Sequence, residues 1–152
     1  MTPDAHKVLI YATWRGLLLV FDEPDFPEIE LQVPGGTMEP GESPEEAARR
    51  EFSEETGLTP PDTLTQFATQ DYRYAKGNRE ICHRRHHFHV ALEGEHRQTW
   101  LHHELTPDSG GAPIRFRFFW LSPTEAVTRL GYGMQEGLDF FRCWRDCPAP
   151  RV

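Results

Sequence analysis

The sequence predicts an α/β (α+β) fold forming one domain over residues 1–152, and three observations carry that expectation. The chain has 152 residues, 38% hydrophobic and 26% charged, a size and composition that can bury one sizeable core. Short apolar runs of strand length recur along it. Among them stands one helix whose start and stop are both marked by residue type.

The elements follow in order. Residues 7–12 and 17–21 are apolar runs, and Arg15-Gly16 between them suits a turn, which predicts a β-hairpin. Residues 22–30 are acidic and contain Pro24 and Pro27, so they read as a loop. Residues 31–33 are a short extended piece entering Pro34-Gly35-Gly36, a turn signal. Residues 43–56 predict a helix: Ser43 is a good N-cap, Pro44 sits where its missing N–H costs nothing, and Ser43 with Glu46 forms a capping box. Gly57 supplies the left-handed residue after the last turn. Residues 64–74 and 80–92 predict strands, the second with Cys82, Arg84, His86, Phe88, Val90 and Leu92 on one side of the pleat. Residues 94–112 are polar and contain Pro107, which predicts a long loop. Residues 114–121 predict a strand, and Ser122-Pro123-Thr124-Glu125 starts a second helix running to about Leu130. A break at 131–133 precedes a third helical stretch over 135–145, with Leu138, Phe141 and Trp144 at helical spacing.

Charge narrows the function. The net charge is -8, and it is uneven: residues 1–70 hold 14 acids against 4 Lys/Arg, while residues 71–152 hold 10 against 12. An acidic chain lacks the basic face that bulk nucleic acid requires. No run of about 18 apolar residues predicts a membrane span, and the N-terminus lacks the pattern of a signal peptide. Three cysteines make no disulfide framework, so a reducing, cytoplasmic setting is expected.

The first-half acidity is concentrated in residues 42–55, which contain Glu42, Glu45, Glu46, Glu51, Glu54 and Glu55. The first three lie at or before the first helical turn, where the dipole favours anions by about 0.3–1 kcal/mol each. Glu51, Glu54 and Glu55 lie at the opposite, negative end, spaced i, i+3, i+4 on one face. At about 100° per residue, Glu55 falls closest to the apolar stripe of Ala48 and Phe52, Glu51 next and Glu54 furthest. Two charges 5 Å apart repel by roughly 3 kcal/mol at an effective dielectric of 20. A solvated glutamate face is the simpler reading of such a run, but a hard divalent cation would turn the repulsion into ligation.

The stretch Gly36-x5-Glu42-x7-Arg50-Glu51-Phe52-x-Glu54-Glu55-x-Gly57-Leu58 resembles the signature box of Nudix hydrolases. Phe52 fills a slot where an aliphatic residue is commoner. The resemblance implies an α/β/α sandwich around a mixed β-sheet. It implies hydrolysis of a pyrophosphate bond in a nucleoside diphosphate linked to another moiety, of the nucleotide or dinucleoside polyphosphate class, with Mg²⁺ or Mn²⁺. By box position, Glu54 and Glu55 would ligate metal, Glu51 would be a ligand or the base that activates water, and the Gly35 carbonyl could touch metal. Arg50 and Glu42 would make a structural ion pair, with Gly36 and Gly57 structural in the motif. Catalysis would rest on Glu51 and Glu54.

The second half supplies candidates for the substrate. Residues 72–87 hold Tyr72, Arg73, Tyr74, Lys76, Arg79, Arg84 and Arg85, which read either as a nucleotide-facing surface or as strand-edge charge. Tyr74, Arg73 and Arg84 are taken as substrate-binding. The family often brings a further glutamate from the region of Glu93, Glu95 and Glu104, and Glu104 is chosen. His83, His86, His87, His89, His96, His102 and His103 cluster, but without the paired cysteines of a structural zinc site they read as strand-surface histidines. Cys143 and Cys147 read as idle or buried thiols.

The expected partner is a small nucleotide, with no bulk nucleic acid and no membrane. The competing reading is a non-catalytic Nudix-fold nucleotide-binding or regulatory domain, whose mark would be lost box carboxylates. A Nudix-fold prenyl diphosphate isomerase is disfavoured because no cysteine precedes Cys82.

Overall fold

The computed structural model describes residues 2–104 and 111–141. In chain order the strands are β1 (Ala5–Trp14), β2 (Leu17–Asp22), β3 (Gly35–Thr37), β4 (Thr65–Lys76), β5 (Arg79–Ala91), β6 (Thr99–Glu104) and β7 (Ile114–Leu121). The helices are α1 (Pro44–Thr56), α2 (Pro123–Arg129) and α3 (Gly137–Phe140), the last preceded by a 3₁₀ turn at Met134–Glu136. The strands form a seven-stranded mixed sheet in the order β4-β5-β1-β2-β7-β6, with β3 attached to β1.

β1 organises the sheet. Its alternate residues face opposite layers. Val8, Ile10 and Ala12 pack with Ala47, Ala48 and Phe52 of α1, while Leu9 and Tyr11 pack with Ala126, Leu130, Met134 and Leu138. Burial on both faces is why residues 7–12 read as an unbroken apolar run rather than an alternating one. Helices therefore cover both faces, giving the α/β/α sandwich.

The sheet forks at β1. At its end, Thr13 and Trp14 pair with Leu18 and Leu17 of β2 through the Arg15-Gly16 turn, whose two residues have φ of 52° and 78°. Towards its start, Lys7, Val8 and Leu9 pair instead with Thr37, Gly36 and Gly35 of β3. β5 runs parallel along the other edge from Ala5 to Thr13. β2 leaves β1 to pair with β7, and β7 with β6, so the sheet opens into two walls.

α1 has the ends its sequence specifies. Ser43 and Glu46 form both halves of the capping box, and Gly57 is left-handed at φ 79°. α2 repeats the device with Ser122 and Glu125. Each such cap contributes about 1 kcal/mol. No described helix is long and apolar enough to cross a membrane.

Three expectations need correction. The stretch 94–112 is not one loop: it contains β6, a short edge strand beside β7. Its residues TWLHHE are half exposed and mostly polar, so no apolar run announces it. Pro34-Gly35-Gly36 is not a turn, since Gly35 and Gly36 are β3 residues. A Cβ on Gly35 would lie 2.2 Å from the Val8 carbonyl oxygen, so glycine is needed there for close approach. Among the described residues, the third helical stretch is a 3₁₀ turn plus the single turn of α3, Gly137–Phe140. Cys143, Trp144 and Cys147 lie outside the described residues.

Candidate active site

The fork holds a cavity of about 690 Å³. One wall comes from β1, β5 and β4, and carries Lys7, Tyr72, Tyr74, His83 and Arg85. The other comes from β2, β7 and β6, with Phe21, Phe116 and Glu104, and Glu23 follows β2. Between them, α1 presents Glu51 and Glu55 over β3.

The glycines of β3 explain how helix carboxylates reach a cavity inside a sheet. A Cβ on Gly36 would lie 2.2–2.5 Å from the carboxylate atoms of Glu51. The Gly35 N–H donates to Glu55 Oε1 at 3.2 Å. The Glu51 side chain thus occupies space that a side chain at position 36 would fill, and Glu55 is held by the backbone of position 35.

The three clustered glutamates are graded in burial, in the order of their angular distance from the apolar stripe. Glu55 is 8% exposed, the Glu51 side chain 13% and the Glu54 side chain 62%. Burial, and then the neighbouring Glu51, push the Glu55 carboxyl well above the usual carboxylate range; Glu104 and Glu23 add to this and the Gly35 N–H opposes it.

Arg50 ties the glycine-containing loop to the helix. It gives Glu42 two hydrogen bonds, at 2.7 and 2.9 Å, and donates to the Thr37 carbonyl at 3.1 Å. These bonds lower the Glu42 carboxyl to about 2 and raise Arg50 further above neutrality. Nη1 of Arg50 also reaches Glu51 at 2.8 Å and Glu54 at 3.2 Å. Among the described residues, no three carboxylate, imidazole or thiol groups already form a metal-binding group. The donor chemistry nevertheless suits a hard divalent cation. The charged groups acting on Glu55 are further carboxylates, hard oxygen donors whose mutual repulsion a cation would relieve.

Of the residues chosen from sequence, Glu51, Glu55, Gly35, Gly36, Tyr74 and Glu104 line the cavity. Glu54 stands beside it on α1, bonded to Arg50. Arg73 and Arg84 are not brought there. The alternation of β4 and β5 puts them on the other face, where Arg84 grips Asp71 at 2.9 and 3.2 Å and Arg73 meets Glu80 at 3.4 Å. Glu95 pairs with Arg15 at 2.8 Å.

Sequence reasoning passed over Lys7 and Tyr132 and did not select Arg85. Strand period alone could have found Arg85, because it is out of phase with the core-facing Phe88 and Val90. Tyr132 has no such signal; it holds φ 54° in a tight turn and accepts a hydrogen bond on its hydroxyl from the Glu30 N–H.

The histidines do not converge on one site, although His6 and His86 stack and meet at 3.0 Å. His87 is 1% exposed and lies in the core, not on the strand surface. It faces Tyr11 and Phe67. His89 meets the Thr13 hydroxyl at 2.9 Å, and His102 meets the Glu54 carbonyl at 2.9 Å.

Solved structures share this architecture. The MutT protein of Bacillus halodurans superposes with a TM-score of 0.64 at 18% identity, covering 95% of this chain and 85% of that one. The Ap4A hydrolase of C. elegans gives 0.59 at 16% identity, covering 92% and 97%. The NUDIX domain of Shewanella oneidensis NrtR, solved with ADP ribose, gives 0.65 at 13% identity, covering 93% and 88%. No protein of curated function matches the sequence significantly. The profile of the NUDIX domain does match, over residues 1–141. That span takes in the forked sheet, the glycine-gated carboxylates and the Arg50 clamp alike, and the chain belongs to the NUDIX domain family.

Proposed function

We propose that this protein hydrolyses a pyrophosphate bond in a nucleoside diphosphate linked to another moiety, using Mg²⁺ or Mn²⁺. The observation that carries the reading is the pair Glu51 and Glu55, set against side-chain-free backbone at the edge of a cavity of nucleotide size. Glu54, Glu55 and the Gly35 carbonyl would hold the cation, with Glu51 as a further ligand or as the base. When bound, the cation neutralises phosphoryl oxygens and makes water nucleophilic. As the base, Glu51 would take a proton from the attacking water. Arg50 holds the carboxylate end in register by fixing Thr37 and Glu42 on the helix. Tyr74 and Glu104, on opposite walls, are assigned to the substrate.

The reading extends to a reducing, cytoplasmic setting, supported by Cys82 being a free thiol buried in the sheet. One observation favours the competing, non-catalytic reading: Arg50 engages Glu51 and Glu54, which turnover would require for metal and base.

The deciding experiment is a release assay with Mg²⁺ over nucleoside triphosphates, dinucleoside polyphosphates, ADP-ribose and nucleotide sugars. Glu54→Gln and Glu55→Gln are expected to lower turnover by roughly 100-fold or more while leaving the fold. Wild-type rates in both variants would sink the assignment; metal binding without turnover on any substrate would support the binding-domain reading.

A further inference from the structure

β4 ends the sheet. It is bonded to β5 on one side, and among the described residues no strand pairs with its other side. The outer side of a terminal strand presents N–H and C=O groups that can template a further strand. β4 is 12 residues long, about twice the usual length. It contains no proline to block such pairing.

Two independent features of β4 share one centre. The first is its ladder with β5, which is irregular between Gln66 and Ala68 and unbroken from Ala68 to Lys76. Tyr72 is the midpoint of that regular stretch. The second is charge. Asp71 and Arg73 flank Tyr72 on the face away from the cavity, with side chains 30% and 38% exposed. When two copies of one strand pair antiparallel about a two-fold axis normal to the sheet, the contact is self-complementary and residues equidistant from the centre lie opposite each other. Centred on Tyr72, Asp71 meets Arg73 of the second copy, twice over, and no like charges meet. Moving the centre by one residue sets Asp71 against Asp71 or Arg73 against Arg73, which is destabilising. Arg84 already binds Asp71 at 2.9 and 3.2 Å, but each carboxylate oxygen has a second lone pair for a further donor. Arg73 meets Asp71 of its own chain at 3.9 Å and Glu80 at 3.4 Å, both longer than a charge-assisted hydrogen bond of about 2.8 Å. Edge charges of one sign repel a further strand; one of each sign, two residues apart, attracts a copy of itself.

We infer that two copies of this chain join through β4, antiparallel and centred on Tyr72, so that their sheets become one. On the cavity face the same register sets Tyr72 against Tyr72 and Tyr74 against Gln70 of the second copy. Such aromatic cross-strand pairs add to the stability of the ladder. The guanidinium of Arg85 lies 3.7 Å from the centre of the Tyr72 ring, which fixes that ring before pairing. Tyr72 and Tyr74 line the cavity, so the dimer places two cavity walls side by side across the axis. The inference does not depend on the hydrolase reading.

The test is sedimentation of the full chain from micromolar to millimolar concentration, where the wild type is expected to show a monomer–dimer equilibrium. Arg73→Asp places a carboxylate opposite Asp71 in both pairs and is expected to raise the dissociation constant about 10-fold or more. Arg73→Lys keeps the sign and is expected to stay within about 3-fold of wild type. Asp71→Arg places a guanidinium opposite Arg73 and is expected to dissociate the dimer likewise. Mixing Arg73→Asp with Asp71→Arg sets two acids against two bases, and a heterodimer at least as tight as the wild-type dimer is expected. Loss of fold in either variant could not be repaired in this way. If Asp71→Arg does not fold without its bond to Arg84, the contrast between Arg73→Asp and Arg73→Lys decides. A wild type that stays monomeric throughout, an Arg73→Asp dimer as tight as wild type, or folded variants that fail to associate on mixing overturns the inference.

Discussion

His87 shows how one buried residue can set a pH limit. Both of its ring nitrogens are buried with no hydrogen-bond partner among the described residues. Burial and the nearby Arg85 lower its imidazole from 6.5 to about 4, and burial does the same to His89. Between those values the unfolded chain binds a proton that the folded chain refuses. Stability is therefore full above about pH 6.5 and is lost as the pH falls towards 4. Replacing His87 by Leu removes two unsatisfied polar atoms at similar volume. The variant is expected to be at least as stable as wild type at pH 7, and its denaturation midpoint should fall less steeply between pH 6.5 and 4. A pH slope identical to that of wild type would show that His87 does not supply it.

Residue by residue, the sequence was most informative where chemistry demands a fixed spacing. Glu51, Glu54 and Glu55 could be ordered by their angle to Ala48 and Phe52 because a helix is a rigid ruler, and their burial follows that order. Arg73 and Arg84 were chosen by proximity in sequence, and the pleat put them on the other face. A strand carries equally spaced residues to two different environments, so the choice between Arg84 and Arg85 depends on which face the core claims.

At the scale of elements, α1 depends on a strand that its own sequence does not reveal. The helix leaves carbonyls unpaired at its C-terminal end, and there is no basic residue in its last turn. β6 supplies the missing donors. The Trp100 indole N–H donates to the Thr56 carbonyl at 3.0 Å, and His102 meets the Glu54 carbonyl. The end of the helix that carries the carboxylates is thus anchored from across the fork. Trp100→Phe keeps the ring stacked on Phe118 but leaves the Thr56 carbonyl without its donor. The expected loss is about 1–3 kcal/mol, seen as a drop of several degrees in thermal midpoint. An unchanged midpoint would show that the bond contributes nothing. β6 was invisible in the sequence because an edge strand needs neither an apolar run nor strict alternation. The caps of α1 and α2 were legible because the atoms that satisfy a helix start are only three residues apart.

For the whole molecule, the charge asymmetry of the sequence becomes a spatial one. The acidic first half delivers Glu23, Glu51 and Glu55 to the fork, and the more basic second half delivers His83 and Arg85 to the facing wall. Composition disclosed the imbalance, but only the pairing of β1 with both β3 and β5 brings the two signs into one cavity. A cation bound to the carboxylate end would stabilise the folded chain by mass action. Raising Mg²⁺ from zero to millimolar levels is expected to raise the thermal midpoint of the wild type and to have a much smaller effect on Glu55→Gln. Equal shifts in the two proteins would place the cation elsewhere.

The fork also has a mechanical meaning. Its two walls are leaves joined along a short spine, the Thr13–Leu18 and Trp14–Leu17 pairs, braced by the Trp14 and Trp120 rings 5.0 Å apart. Lys7 stands six residues up β1 from Thr13, about 20 Å of strand. Over that lever arm, a rotation of about 5° at the spine moves the free ends of the leaves by nearly 2 Å. The segment 32–37 spans the two leaves, pairing Gln32 with Phe21 of β2 and Gly35–Thr37 with β1, and so holds the angle on which the aperture between them depends.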